Sequence, residues 1–191
     1  MTFRSIRTLI VLAGLSIAAT LNAQDVYKID AVHSQIGFKI RHLVAKSSGR
    51  FTKFEGAITV DTKDITKSKV EVTIDAASIN TDNEARDKHL RGADFFEVEK
   101  FPTITFKSTA VKEVEKGKLQ VTGDLTMHGV TKSITFPITN AGTRAGMKPG
   151  SVVAGFIDGA LKINRNDFGI KTYPGVLGDD VEIGLDIEAG K

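Results

Sequence analysis

Over most of its length the sequence places an apolar side chain at every second residue. Ile36, Phe38 and Ile40 are separated by Gly37, Lys39 and Arg41, and Val70, Val72 and Ile74 by Glu71, Thr73 and Asp75. The alternation recurs at Ile104 and Phe106, Leu119 and Val121, Leu125 and Met127, and Ile134 through Phe136 to Ile138. It returns at Ile157, Leu161 and Ile163, and again from Val181 to Ile187. Successive side chains of a β-strand point to opposite faces, so such runs predict strands with one buried face. Turn residues fall between them, as in EKGK at 115–118, MHGVTK at 127–132 and KPGS at 148–151. A chain patterned this way folds as an all-β domain of about eight antiparallel strands.

One segment breaks the rule. In TDNEARDKHLRG, Thr81 and Glu84 have capping-box spacing, Lys88, His89 and Arg91 fill a last turn, and Gly92 is placed to end it. This predicts one short helix near 82–91. The strands then either form a sandwich or close into a barrel. Glycines inside the runs (Gly37, Gly56, Gly123, Gly155, Gly159, Gly184) permit the bends of a closing sheet, which favours the barrel. An eight-stranded barrel is either just filled by its own side chains or holds one small ligand. Alternation alone does not choose between them.

The N-terminus obeys different rules. Arg4 and Arg7 precede an apolar run from Leu9 to Ala19, followed by a polar stretch with Ala23. A basic head, a short apolar run and a small residue describe a secretory signal peptide over 1–23, with a mature domain over 24–191. The run falls short of the ~20 apolar residues of a membrane span. The chain carries 26 Lys and Arg against 23 acids. Cleavage would remove Arg4 and Arg7, leaving 24 against 23, so no electrostatic footprint for nucleic acid remains.

Catalytic and metal motifs are sparse. The sequence has no cysteine, which excludes thiol catalysis and Cys-based metal sites. His33, His42, His89 and His128 show no metal-ligand spacing, and there is no GxSxG or Gly-rich phosphate loop. No metal, cofactor or catalytic residue is expected. His42 extends the apolar row of Ile36, Phe38 and Ile40, so it needs a polar partner. His33 follows a turn, His89 closes the helix and His128 falls in a hairpin turn. Arg165, in INRNDFG, suits an anion contact or a loop brace.

Longer strings narrow the reading. DAVHSQIGFKIRHL, GRFTKFEGAITVD, HLRGADFFEVEKFPTITFKS, GDLTMHGVTKSITFPI and INRNDFGI occur in this order. Together they resemble the YceI-like family of exported lipid-binding proteins, over about Asp25 to Ala189. Gly92 stands where that family commonly has Ser, a change at a helix end. The resemblance implies an extended, lipocalin-like antiparallel β-barrel that binds a polyisoprenoid chain in its lumen, in the periplasm. It implies non-catalytic binding, transport or storage of a polyprenyl phosphate or isoprenoid quinone.

On that reading the lumen is lined by Ile36, Phe38, Ile40, His42, Val72, Ile74, Phe106, Leu125, Met127, Phe136 and Ile183, and Phe95 and Phe96 close one end. Arg41, His89, Arg91 and Arg165 are the candidate head-group contacts. The expected partner is an isoprenoid or other long apolar lipid, with no nucleic acid and no stable membrane insertion, and the chain is compatible with a homodimer. Two rivals stay open. One is an enzyme acting on a small apolar or lipid substrate through His42 or His128. The other is a structural or interaction module with a solid core.

Overall fold

A computed structural model describes residues 24–191; the signal peptide expected over 1–23 lies outside the described residues. Eleven strands and one α-helix follow in chain order. They are β1 (Gln24–Ile29), β2 (Gln35–His42), β3 (Ala45–Phe51), β4 (Phe54–Asp61), β5 (Lys69–Asp75), β6 (Ile79–Asn80), α1 (Glu84–Arg91), β7 (Thr103–Glu115), β8 (Lys118–Met127), β9 (Val130–Ala145), β10 (Val152–Asn164) and β11 (Leu177–Gly190).

Every named strand pairs antiparallel with its neighbours. The ring runs β1, β4, β5, β7, β8, β9, β10, β11 and closes where Lys28 and Ile29 of β1 meet Gly190 and Ala189 of β11. This is the closed eight-stranded barrel that the alternation and the family resemblance predict. Closure leaves the ring no free edge. Farther along β11, Asp186 pairs with Gln35 of β2 and Leu177 with His42. β1 and β2 therefore lie along β11 as one strand interrupted at 30–34. From β2 the sheet continues through β3 to β6 as a wing that extends the barrel wall at one end.

The inward rows form one continuous core. Ile58, Ile74, Ile104, Phe106, Val121, Leu125, Phe136, Ile163 and Ile187 are buried, while residues between them such as Glu71, Lys107 and Asp124 face solvent. Gly56 and Gly123 mark where strands come closest. A Cβ at Gly56 would lie 2.2 Å from the carbonyl oxygen of Glu71, and one at Gly123 would lie 2.5 Å from both the Phe106 ring and the Lys107 oxygen.

Two local expectations change. The helix begins at Glu84 and its cap is Asn83, whose side chain accepts from the Arg86 N–H at 3.0 Å. Thr81 is not the cap, because Asp87 reaches back to accept from its N–H at 2.8 Å and its hydroxyl at 2.6 Å. On β10, Ile157 does not share a face with Leu161 and Ile163. A bulge between Phe156 and Gly159, with Asp158 at φ 58°, inserts extra backbone and reverses the phase. Phe156 faces inward and Ile157 outward.

Candidate functional site

The barrel is hollow. Its interior holds a cavity of about 570 Å³, within the roughly 300–1,000 Å³ usual for small-molecule sites. The sequence-derived lumen residues all stand on its wall: Ile36, Phe38, Ile40 and His42 from β2, Val72 and Ile74 from β5, and Phe106 from β7. Leu125 and Met127 come from β8, Phe136 from β9 and Ile183 from β11, with Phe95 and Phe96 from the segment after α1. The rows continue through Ile104, Val111, Val121, Ile138 and Ile187, and the bulge adds Phe156.

Polar lining groups are few and mostly gather at one end. His42, Arg86, His89, Tyr173 and Val176 are the lining residues that are also exposed. They come from the end of β2, from α1 and from the loop before β11, and so they mark the mouth. At the opposite end the lining is buried or half-buried: Val60, Ile65 and Ser68 lie there, with the Ser68 hydroxyl accepting from the Asp61 N–H at 3.0 Å.

Rings tie the sides of the mouth together. His89 stands edge-on to Phe95, with centroids 5.1 Å apart, and to Tyr173 at 5.9 Å, while Phe95 stacks on Tyr173 at 6.1 Å. The Thr172 hydroxyl donates to the Asp94 carbonyl, and His89 Nε2 lies 3.1 Å from Asp94 Oδ2. Phe96 meets Phe51 edge-on at 5.8 Å, and Phe51 lies 6.0 Å from Phe38. Phe95 and Phe96 thus split between the mouth and the wall beneath the wing. Two neighbouring side chains take different directions there.

The four proposed head-group residues separate. His89 and Arg165 line the cavity; Arg41 and Arg91 do not. Arg91 is spent on backbone, donating from Nε to the Ala77 carbonyl at 2.7 Å and from Nη2 to that of Ile79 at 3.2 Å. Arg41 points outward and donates to the Leu43 carbonyl at 2.8 Å. Arg165, only 3% exposed, donates to the carbonyls of Gly178 (2.9 Å), Ile170 (2.9 Å) and Thr172 (2.8 Å), with Asp179 at 3.4 Å. It braces the loop that frames the mouth.

Arg86 was not legible in the sequence. Its Nε donates to the Thr81 hydroxyl at 2.7 Å and its Nη2 to the Thr81 carbonyl at 2.8 Å, and no carboxylate pairs with it among the described residues. It is a cation at the cavity wall held only by neutral oxygens.

The two histidines named for acid–base chemistry, His42 and His128, do not pair with a carboxylate inside the lumen; the His89–Asp94 pair lies exposed at its mouth. His42 turns to solvent at the mouth and has no carboxylate partner among the described residues. His128 lies outside the cavity wall; its Nδ1 donates to the Phe168 carbonyl at 3.0 Å, and Glu97 Oε2 stays 3.6 Å from Nε2. Elsewhere, Asp30, His33 and Glu188 bring ligand-type atoms within 4.8 Å of one another. Asp30 is already used: Oδ1 accepts from the Val32 and His33 N–H groups and Oδ2 holds His33 Nδ1 at 2.9 Å. That hydrogen bond is the main cause of a lowered Asp30 pKa and a raised His33 pKa.

Known proteins share this architecture. The YceI-like domain model matches residues 27–189. The chain belongs to the YceI-like family. A UPF0312 protein of Vibrio cholerae is 41% identical over 175 residues, covering 90% of each chain. The crystal structure of BcnA from Burkholderia cenocepacia superposes with a TM-score of 0.76 at 27% identity, over 84% of this chain and 99% of that one. A polyisoprenoid binding domain from Saccharophagus degradans superposes with a TM-score of 0.61 over 85% of this chain and 97% of that one, and at 17% identity it speaks for the fold alone. The barrel described above is the architecture shared with these structures, and no helix among the described residues is long and apolar enough to cross a membrane.

Proposed function

We propose that this YceI-like protein binds a long isoprenoid lipid, a polyprenyl phosphate or an isoprenoid quinone, and carries or stores it without chemical change in the periplasm, after export directed by residues 1–23. The observation that carries this reading is the lumen: a cavity of about 570 Å³ walled by aliphatic and aromatic side chains, whose exposed lining lies at one end. A polyprenyl tail is almost entirely CH₂ and CH₃ surface, and its burial contributes about 25 cal/mol for each Å² removed from water. The hollow interior speaks against a solid-core module. Neither His42 nor His128 meets a carboxylate inside the lumen, and the His89–Asp94 pair stands exposed at the mouth, which supports binding over catalysis. The Saccharophagus neighbour, a polyisoprenoid binding domain, supports the same ligand class. At the mouth, Arg86, His42 and the Tyr173 hydroxyl are positioned to meet a phosphate or quinone oxygen.

The test is direct. Protein purified from periplasmic extract is denatured, extracted with organic solvent and analysed by lipid mass spectrometry. The expected result is a stoichiometric isoprenoid, and delipidated protein should take up added polyprenyl phosphate. Recovery in the cytoplasmic fraction would overturn the location. An extract without lipid, together with no uptake of added isoprenoid, would overturn the ligand.

A further inference from the structure

The residues at the rim of the mouth, Tyr173 and Val176 on it and Leu43 and Val44 just outside, carry a pattern that ligand binding does not require. The β2–β3 hairpin turns at Leu43 and Val44, and the loop before β11 presents Tyr173 and Val176. Leu43 is 55% exposed, Tyr173 is 45% exposed, Val44 is fully exposed and Val176 borders on exposed. A hydrogen bond from the Leu43 N–H to the Val176 carbonyl, at 2.8 Å, joins the two loops into one tip. Two-residue hairpin turns normally carry Asn or Gly, because their backbone enters the left-handed region. Here that region is occupied by Leu43 at φ 50°, and Tyr173 sits at φ 54°. Bulky side chains at such angles are uncommon and strained. The fold holds apolar groups in water at positions where polar residues would fold more easily.

Charge follows the same boundary. Residues 41–46 (RHLVAK) and 171–177 (KTYPGVL) contain Arg41, Lys46 and Lys171 and no carboxylate. Lys46 pairs with Glu182 at 2.8 Å, whereas Arg41 and Lys171 have no carboxylate partner among the described residues. The acids at the start of β11 are engaged elsewhere, Asp179 with Arg165 and Asp180 with Lys162.

We propose that this tip is a membrane-docking surface: Leu43, Val44, Tyr173 and Val176 enter the headgroup region of an anionic bilayer while Arg41 and Lys171 meet its phosphates, so that the mouth opens directly onto lipid. An apolar patch flanked by cations is the pattern of reversible interfacial binding. A lipid with a long tail then passes from bilayer to lumen without crossing water. The purpose of the surface rests on the lipid-carrier reading, but its existence is tested separately.

The experiment is co-sedimentation of purified protein with vesicles of phosphatidylethanolamine plus phosphatidylglycerol, and with phosphatidylcholine vesicles as the neutral comparison. The double variant Leu43→Asp, Val44→Asp adds charge at residues outside the cavity wall, and aspartate tolerates a positive φ, so the hairpin is retained. Expected is salt-sensitive binding of the parent protein to the anionic vesicles, weakened at least about tenfold in the variant. Uptake of a soluble apolar fluorophore should be unchanged in the variant. Met147→Asp, which alters an exposed apolar residue at the opposite end, should bind like the parent. No vesicle binding by the parent, equal binding by the double variant, or an equal loss in Met147→Asp would overturn the proposal. Self-association of the parent that the double variant abolishes, without vesicle binding, would assign the tip to a second copy instead. Vesicle binding with no isoprenoid in the organic extract and no uptake of added isoprenoid would refute the carrier reading and leave the docking surface standing.

Discussion

At the scale of single residues the structure separates side chains that the sequence presents alike. Arg41, Arg91 and Arg165 all read as candidate head-group contacts, yet backbone carbonyls occupy each of them. Arg165 gives the sharpest prediction. Arg165→Met leaves the carbonyls of Ile170, Thr172 and Gly178 without their donor, at about 1–3 kcal/mol for each one left unsatisfied. Urea unfolding should show a lower midpoint, with Arg165→Lys recovering part of the loss. Asp30 and His33 give a second prediction. His33 has its pKa raised by Asp30, so their contact favours the folded state below the ordinary imidazole pKa and fades as pH rises through the raised value. The lowered Asp30 pKa acts oppositely: its contribution is present above the ordinary carboxyl pKa and fades as pH falls through the depressed value. The pair is thus most favourable in mild acid. In Asp30→Asn the His33 titration followed by NMR should move down; an unmoved titration would show that the hydrogen bond is not its cause.

At the scale of elements, the strands were legible because alternation is imposed by the pleat itself. Where a strand departs from the pleat, as β10 does at its bulge, alternation misplaced Ile157 and left Phe156 unread. β3 escaped notice for another reason. Its sequence AKSSGRF has no apolar row, and it is held by its ladder to β2 while only Phe51 is buried. The helix was found from its charges, but its start was misread because Asp87 claims Thr81 and leaves capping to Asn83. Asn83→Ala should therefore cost about 1 kcal/mol in chemical denaturation, whereas an unchanged midpoint would return the cap to Thr81.

At the scale of the whole molecule, the lumen wall followed from the sequence and the mouth did not. Periodicity specifies which face of a strand is inward, and closure turns every inward face toward one axis. The mouth is assembled from 42–47, 81–96 and 170–177, which nothing in local pattern brings together; that is why Arg86 and Tyr173 were missed. A hollow barrel also predicts a large response to its ligand. Isoprenoid at a hundred times its Kd should stabilise the fold by about 2.7 kcal/mol, raising the melting temperature by about 5–10 °C for a domain of this size. Val121→Trp, which places a ring in the lumen, should shrink that shift while the protein remains folded.

The seam that closes the barrel joins β1 to β11 through Lys28–Gly190 and Ile29–Ala189. The earliest strand to be synthesised thus waits for the latest. Until the ribosome has delivered β11, no enclosed interior exists, and a nascent chain can hold no cargo. Such distant pairing also makes for slow folding. Under the export proposed above, a chain that stays open until its last strand arrives would pass a narrow channel before taking shape on the far side.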